Sequence, residues 1–203
     1  SCIYPLNAEN PISEDEFMNG KLEPTNSPYA MAKLTAIELG NAMKEQYGHK
    51  VINLMPTNLY GPNDNFSEHD SHVIPGLMFR MEIAKNNNID SFNIWGSGKP
   101  LREFLHVDDL SNAIKFIINN EIEDSILNVG SGDEVSIKSI AENIKKVIQY
   151  KGVLSFDTSK PDGNPRKLLN SSKMLNYGWK SEIQLFEGLE STYKWFQENI
   201  KIN

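Results

Sequence analysis

Two rhythms of apolar residues alternate along the chain. From Pro28 to Gly48, the apolar residues Leu34, Ile37, Ala42 and Met43 sit among good helix formers. That pattern predicts a helix with Ser27 as its N-cap and Pro28 in its first turn. Residues 50–55 read K-V-I-N-L-M, a short run with β-branched members that predicts a strand closed by Pro56. The alternation then repeats. Further helices are expected over 73–85, 107–119, 137–149 and about 185–200, with strands over 91–95, 125–129 and 153–156. Residues 101–106 are expected to be extended. Asp108 and Asp109 suit the positive end of the helix they open, and Ser136 is the expected cap of the next.

The segments between are polar. Residues 5–27 are rich in Pro, Asn, Glu and Ser and predict an irregular surface loop. Residues 57–71 carry Gly, Pro, Asn and Asp and predict a loop too polar for the core. Gly96-Ser97-Gly98 predicts a turn, and Lys160-Pro161-Asp162-Gly163 a further loop. Strand following helix throughout implies an α/β fold with a largely parallel sheet. There is no internal repeat, low-complexity tract or evident linker. A G-x-x-G-x-x-G phosphate loop is absent; Gly130-Ser131-Gly132 follows a strand but lacks the rest of that pattern and reads as a turn.

At 203 residues the chain can bury a substantial core, as one large or two small domains. A net charge of −7 argues against nucleic acid or an anionic membrane as a bulk partner. An anionic ligand would therefore need a local cluster of cations. Arginine, the better bidentate partner of phosphate, occurs only at Arg80, Arg102 and Arg166. The single cysteine, Cys2, rules out an internal disulfide and fits a reducing cytoplasm. No apolar run approaches 18 residues, so no membrane span is expected. The chain does not start with Met, and Ser1-Cys2-Ile3-Tyr4 reads as the end of a strand, so the expectation is the C-terminal part of a longer protein.

Candidate chemistry begins at Tyr29-Ala-Met-Ala-Lys33. Four residues apart on a helix, a phenol and an ammonium share one face. The cation can lower the phenol's pKa and make it a usable proton donor to a ketone receiving hydride. The spacing alone is weak; its setting strengthens it. Three histidines, His49, His69 and His106, form no metal-ligand spacing, so no metal is expected, and His106-Val107-Asp108-Asp109 reads as a cap and helix start.

The motifs S-C-I-Y-P at 1–5, L-E-P-T-N-S-P-Y-A-M-A-K at 22–33 and M-P-T-N-L-Y-G-P-N-D-N-F at 55–66 occur in order. S-H-V-I-P at 71–75, W-G-S-G-K-P-L-R-E-F-L-H-V-D-D at 95–109 and F-D-T-S-K-P-D-G-N-P-R-K at 156–167 follow. Together they resemble the extended short-chain dehydrogenase/reductase superfamily and, within it, the GDP-4-keto-6-deoxymannose epimerase-reductases. The resemblance implies the C-terminal part of a Rossmann-type parallel sheet plus a smaller α/β substrate-binding domain. Residues 1–60 would belong to the NADP-binding domain and 61–203 mainly to the substrate domain, with some segments returning to the Rossmann sheet. About a hundred residues holding the Gly-rich loop would precede Ser1, and the superfamily's catalytic serine would fall one position before it.

The resemblance also implies the roles. Tyr29 would donate the proton in hydride transfer, and Lys33 would bind the nicotinamide ribose. Cys2 and His72 would be the base and acid that epimerise carbons beside the ketone. Such α-protons are acidic enough for a thiolate or imidazole. Ser1, His72 and the segment Pro56-Thr57-Asn58-Leu59 would touch NADP(H). Arg80, Trp95, Arg102 and Asp162 would bind the GDP-sugar, with Arg166 less favoured. A homodimer formed through the Tyr29 helix is the family's habit.

The implied reaction inverts C3 and C5 of GDP-4-keto-6-deoxy-D-mannose and then reduces C4, giving GDP-L-fucose. A related GDP-keto-sugar such as a heptose leaves no distinguishing motif, and NADP is not separable from NAD in these residues. A 4,6-dehydratase would need an Asp-Glu pair where Ser1 and Cys2 stand, and a plain 4-epimerase is the other simple relative. A different class of reading is a non-catalytic fragment that at most binds the nucleotide sugar.

Overall fold

A computed structural model describes residues 1–202. In chain order the elements are α1 (Ser27–Tyr47), β1 (Asn53–Pro56), β2 (Asn58–Tyr60), α2 (Val73–Asn86), β3 (Ser91–Trp95) and β4 (Leu101–His106). There follow α3 (Val107–Asn119), β5 (Ile126–Val129), β6 (Glu134–Ser136), α4 (Ile137–Ile148) and β7 (Val153–Asp157). The last are β8 (Arg166–Lys167), α5 (Ser172–Tyr177) and α6 (Leu185–Asn199).

The strands are not one sheet. β1 pairs with β5, and β3 with β7, each in parallel. β4 is the hub of a third group, parallel to β2 and β8 and antiparallel to β6. The expected alternation and the largely parallel pairing are present, with the strands divided among separate sheets. The cause is Thr57. Its N–H bonds Val129 of the first sheet at 3.0 Å, and its hydroxyl bonds the Glu103 carbonyl of the third at 3.2 Å. The chain thus changes sheets within one residue.

This switch also corrects the reading of 57–71 as a loop. Asn58–Tyr60 is a strand, and Thr57 and Tyr60 are buried. Their polarity misleads because their side chains are bonded into the fold: Asn58 Nδ2 donates to the Glu103 carbonyl at 2.8 Å, and the Tyr60 hydroxyl to the Leu185 carbonyl at 3.4 Å. The 5–27 segment is likewise no simple surface loop. It contains two short 3₁₀ turns and places Ile12 and Glu14 inside, with Ile12 bridged to Leu169. The Glu14 carboxylate accepts the Asn128 amide N–H at 2.9 Å, which repays its desolvation.

The start of α1 moves upstream of its expected cap. Ser27 already has helical dihedrals (φ −53°, ψ −43°) because a 3₁₀ turn over Pro24–Asn26 leads into it. Glu23 caps that turn, accepting the Thr25 and Asn26 amides at 3.2 and 2.8 Å, while Asn26, at the cap position of α1 itself, makes no side-chain cap bond. At the other end Gly48, at φ 69°, bonds the Lys44 carbonyl and stops the helix. Gly130-Ser131-Gly132 is the turn between β5 and β6, as expected, with Gly132 at φ 83°.

Three apolar clusters hold the fold. The largest includes Met78 and Met81 of α2, Ile140 and Ile144 of α4, and Leu189 and Phe196 of α6. A second ties Ile3, Tyr4 and Ile12 to Leu34 and Ile37 of α1 and to Met55. The third joins Leu105, Leu127 and Val129 to Ala113, Met174 and Trp179. Each such side chain stabilises by about 1.5–3 kcal/mol when fully buried. The second cluster fixes the N-terminal residues against the Tyr29 helix, and so bears directly on the site.

His106 is the cap the motif predicts. Its Nδ1 accepts the Asp108 N–H at 3.2 Å while the ring is only 3% exposed. Burial holds its pKa below the ordinary 6.5, against the opposing pull of Asp108 and Asp109. The folded state therefore binds fewer protons here than the unfolded chain does. This contribution to stability is complete above pH 6.5 and declines as pH falls towards the lower folded value. We expect urea midpoints to drop as pH falls below about 6.5, and His106→Gln to flatten that part of the profile. An unchanged slope in the variant would contradict the assignment.

Candidate active site

The sheet switch brings separate segments to one cleft. The residues flanking Thr57 form its floor, the start of α1 one wall, and the N-terminus of α2 another. The main cavity holds about 830 Å³ and is lined by Ser1, Cys2, Tyr29, Pro56, Thr57, Asn58, Leu59, His72 and Lys167, among others. A second cavity of about 500 Å³ shares Cys2, Asn26, Asn58 and Lys167 with it and adds Arg102, Asp162 and Arg166. The two form one continuous groove.

Tyr29 and Lys33 stand as the i,i+4 spacing requires. The Lys33 ammonium lies over the Tyr29 ring, 5.3 Å from its centroid. Lys33 does not itself line the cavity; it meets the cleft through Tyr29. Tyr29 is 56% exposed, so its hydroxyl carries no buried hydrogen bond that a ligand must displace. The N–H of Ser1 bonds the Pro56 carbonyl at 3.1 Å, which seats Ser1 and Cys2 beside the 56–59 segment.

His72 occupies the cap position of α2 without using its side chain as a cap. The imidazole is 86% exposed, with Nδ1 3.9 Å from an Asp64 oxygen. A histidine left out of its local capping bond, on a cavity wall, is available for proton transfer.

The cations divide into two groups. Arg102 lines the groove, half-buried, with Nη1 donating to the Leu101 carbonyl at 2.7 Å. Arg166 is neutralised by a bidentate pair with Glu134, at 2.7–3.0 Å. Arg80 does not line either cavity. Its Nε donates back to the Gly76 carbonyl of its own helix at 3.2 Å, and its guanidinium packs 5.6 Å from the Phe92 ring centroid. Trp95 is also outside the two cavities, 70% exposed at the end of β3. Asp162 reaches the groove, yet both its oxygens are committed to Ser97. It accepts the backbone N–H at 2.8 Å and the hydroxyl at 2.7 Å, and these bonds hold its carboxyl below the usual range. It thereby fastens the 160–163 loop to the Gly96-Ser97-Gly98 turn.

Lys167 is the site residue that the sequence reading did not single out. It lines both cavities and has no carboxylate within ion-pair distance among the described residues. Burial pushes its ammonium below the ordinary lysine range; Cys2 opposes that shift and Arg102 adds to it. A half-buried, unpaired cation beside a second one makes this groove attractive to an anion. No strand is predicted at 166–167, so nothing local in the sequence separates Lys167 from the Glu134-bound Arg166.

Comparison with known proteins places this geometry in a family. Residues 1–130 match the NAD dependent epimerase/dehydratase family, and the chain belongs to it. It is 50% identical, over 98% of its length and 61% of the relative's, to a probable GDP-L-fucose synthase 1 of Oryza sativa subsp. japonica. It is 48% identical to the GDP-L-fucose synthase of Escherichia coli K12, covering 98% of this chain and 65% of that one. A GDP-L-fucose synthetase from Naegleria fowleri, solved bound to NADP, superposes with a TM-score of 0.91 at 33% identity, over 98% of this chain and 64% of the other. The chain thus spans 61–65% of the length of these two curated relatives.

Proposed function

We propose that the protein containing this chain is an NADPH-dependent epimerase-reductase that converts GDP-4-keto-6-deoxy-D-mannose to GDP-L-fucose. The observation that carries the reading is the convergence of Cys2, Tyr29, His72 and Lys167 on one cleft, with Arg102 in the adjoining cavity that Lys167 also lines. Relatives named GDP-L-fucose synthase, about 50% identical, support the same substrate.

Cys2 takes a proton from the carbon on either side of the C4 ketone, and His72 returns one to the opposite face, inverting C3 and then C5. NADPH bound beside the 56–59 segment would supply the hydride for C4. Tyr29 gives its hydroxyl proton to the C4 oxygen, so the alcohol forms without a free alkoxide. Lys33, over the ring, favours the phenolate left behind. Tyr29, Lys33 and Asn58 offer exposed polar groups that would fit a nicotinamide ribose, and the 56–59 segment lies along the cleft beside them. Arg102 and Lys167 face the diphosphate. On this reading residues 1–60 belong to the cofactor domain, and β5, paired with β1, returns to it from the substrate side.

Two further elements belong to the proposal. Leu39, Met43 and Tyr47, four residues apart, leave exposed apolar surface along α1, which supports a homodimer through this helix. One cysteine supports a reducing, cytoplasmic setting. The test is direct. The protein containing these residues, given the keto-sugar nucleotide and NADPH, should oxidise the cofactor and yield GDP-L-fucose by NMR. An un-epimerised 6-deoxy sugar as sole product would reduce the reading to a 4-keto reductase.

A further inference from the structure

Glu103 is fully buried in β4, yet it belongs to none of the chemistry above. Its carboxylate accepts two main-chain amides from distant segments, Gly132 at 2.8 Å and Leu169 at 3.1 Å. Its own carbonyl accepts Asn58 Nδ2 at 2.8 Å and the Thr57 hydroxyl at 3.2 Å. A Cβ at Gly130 would collide with its Oε1, so the turn after β5 is shaped around this carboxylate. Burial raises its pKa, and the amides of Gly132 and Leu169 pull the other way.

The neighbours of these bonds are the cleft residues. Arg102 precedes Glu103 and is in register with Lys167, and Leu169 lies two residues past Lys167. β8 is only two residues long, too short to hold its own register by ladder bonds. Past Lys167 the chain is held on one side by Asn10 and Ile12, through Leu168 and Asn170, and on the β4 side by the Glu103–Leu169 bond.

We infer that Glu103 is a positioning residue for substrate binding: its carboxylate fixes β8 so that Lys167 stands beside Arg102 at the anion end of the cleft, while its carbonyl holds the cofactor-side segment at Asn58. The inference rests on the reading of Lys167 as a contact for the substrate's anionic part. In Glu103→Gln one oxygen becomes an N–H donor facing a backbone N–H, so one of the two amides is released.

The test is a double-mutant cycle in the protein containing these residues, with Michaelis constants measured for the GDP-keto-sugar and for NADPH. Glu103→Gln should raise the nucleotide-sugar KM roughly tenfold, with kcat and the NADPH KM changed much less. Lys167→Met should raise the same KM by a similar factor. In the Lys167→Met background the effect of Glu103→Gln should shrink to less than about twofold. A purely structural Glu103 would give the same factor in both backgrounds, and that result overturns the inference. So does a Lys167→Met enzyme with unchanged KM, since Glu103 would have nothing to act through; the proposed reaction would then still stand. Should Glu103→Gln melt below the assay temperature, Glu103→Asp, which keeps the charge and loses the reach, enters the same cycle with the same expected outcomes.

Discussion

Tyr29→Phe is expected to lower C4 reduction by about 10²–10⁴-fold while leaving NADPH affinity within a few-fold. The ring is retained, so the Lys33 ammonium keeps its seat 5.3 Å from the centroid and the first turn of α1 keeps its packing. What disappears is the hydroxyl proton that must accompany hydride. Because Tyr29 is 56% exposed, the substitution buries no new surface and leaves no core cavity, so stability should change by less than about 0.5 kcal/mol. Steady-state oxidation of NADPH together with cofactor titration checks both halves. Turnover near the unaltered rate would remove Tyr29 from its role.

The second large effect is expected at Cys2. A thiol can ionise to a nucleophilic, basic thiolate in water, whereas a serine hydroxyl in its place barely ionises. Cys2→Ser should therefore slow inversion at C3 and C5 by about 10²–10³-fold, yet leave hydride transfer open. The product should change identity rather than vanish: an un-epimerised 6-deoxy sugar nucleotide instead of L-fucose. His72→Gln should push in the same direction, because α2 loses no cap when the ring is replaced. Its neighbour Asp64, 3.9 Å from Nδ1, is the only carboxylate in ion-pair reach of it among the described residues.

Much of this arrangement was legible in local sequence. The α1 helix, the i,i+4 partnership of Tyr29 with Lys33, and the His106 cap each depend on residues within a few positions of one another, where spacing speaks directly. The remainder depends on long-range pairing. The Thr57 sheet switch joins residues 46 and more positions apart, and nothing near Thr57 announces it. Lys167 became visible only when β8 was seen lying against β4. Glu103 reads as one more charge in a polar motif until its amide partners, 29 and 66 residues away, are known. Arg80 and Trp95 illustrate the reverse. The resemblance assigns both to the nucleotide sugar, whereas the structure turns Arg80 towards Gly76 and Phe92 and leaves Trp95 outside the groove.

The proposed function requires one cleft to carry out two separable reactions with different side chains. Solvent deuterium incorporation measures this most directly. The GDP-keto-sugar is incubated with NADPH in D₂O with the Tyr29→Phe protein and, in parallel, with the Cys2→Ser protein, and deuterium at C3 and C5 is followed by NMR. The predicted result is exchange at both carbons without reduction in the first, and reduction with little exchange in the second. Equal loss of exchange and reduction in both proteins, or exchange at the unaltered rate in Cys2→Ser, would contradict it.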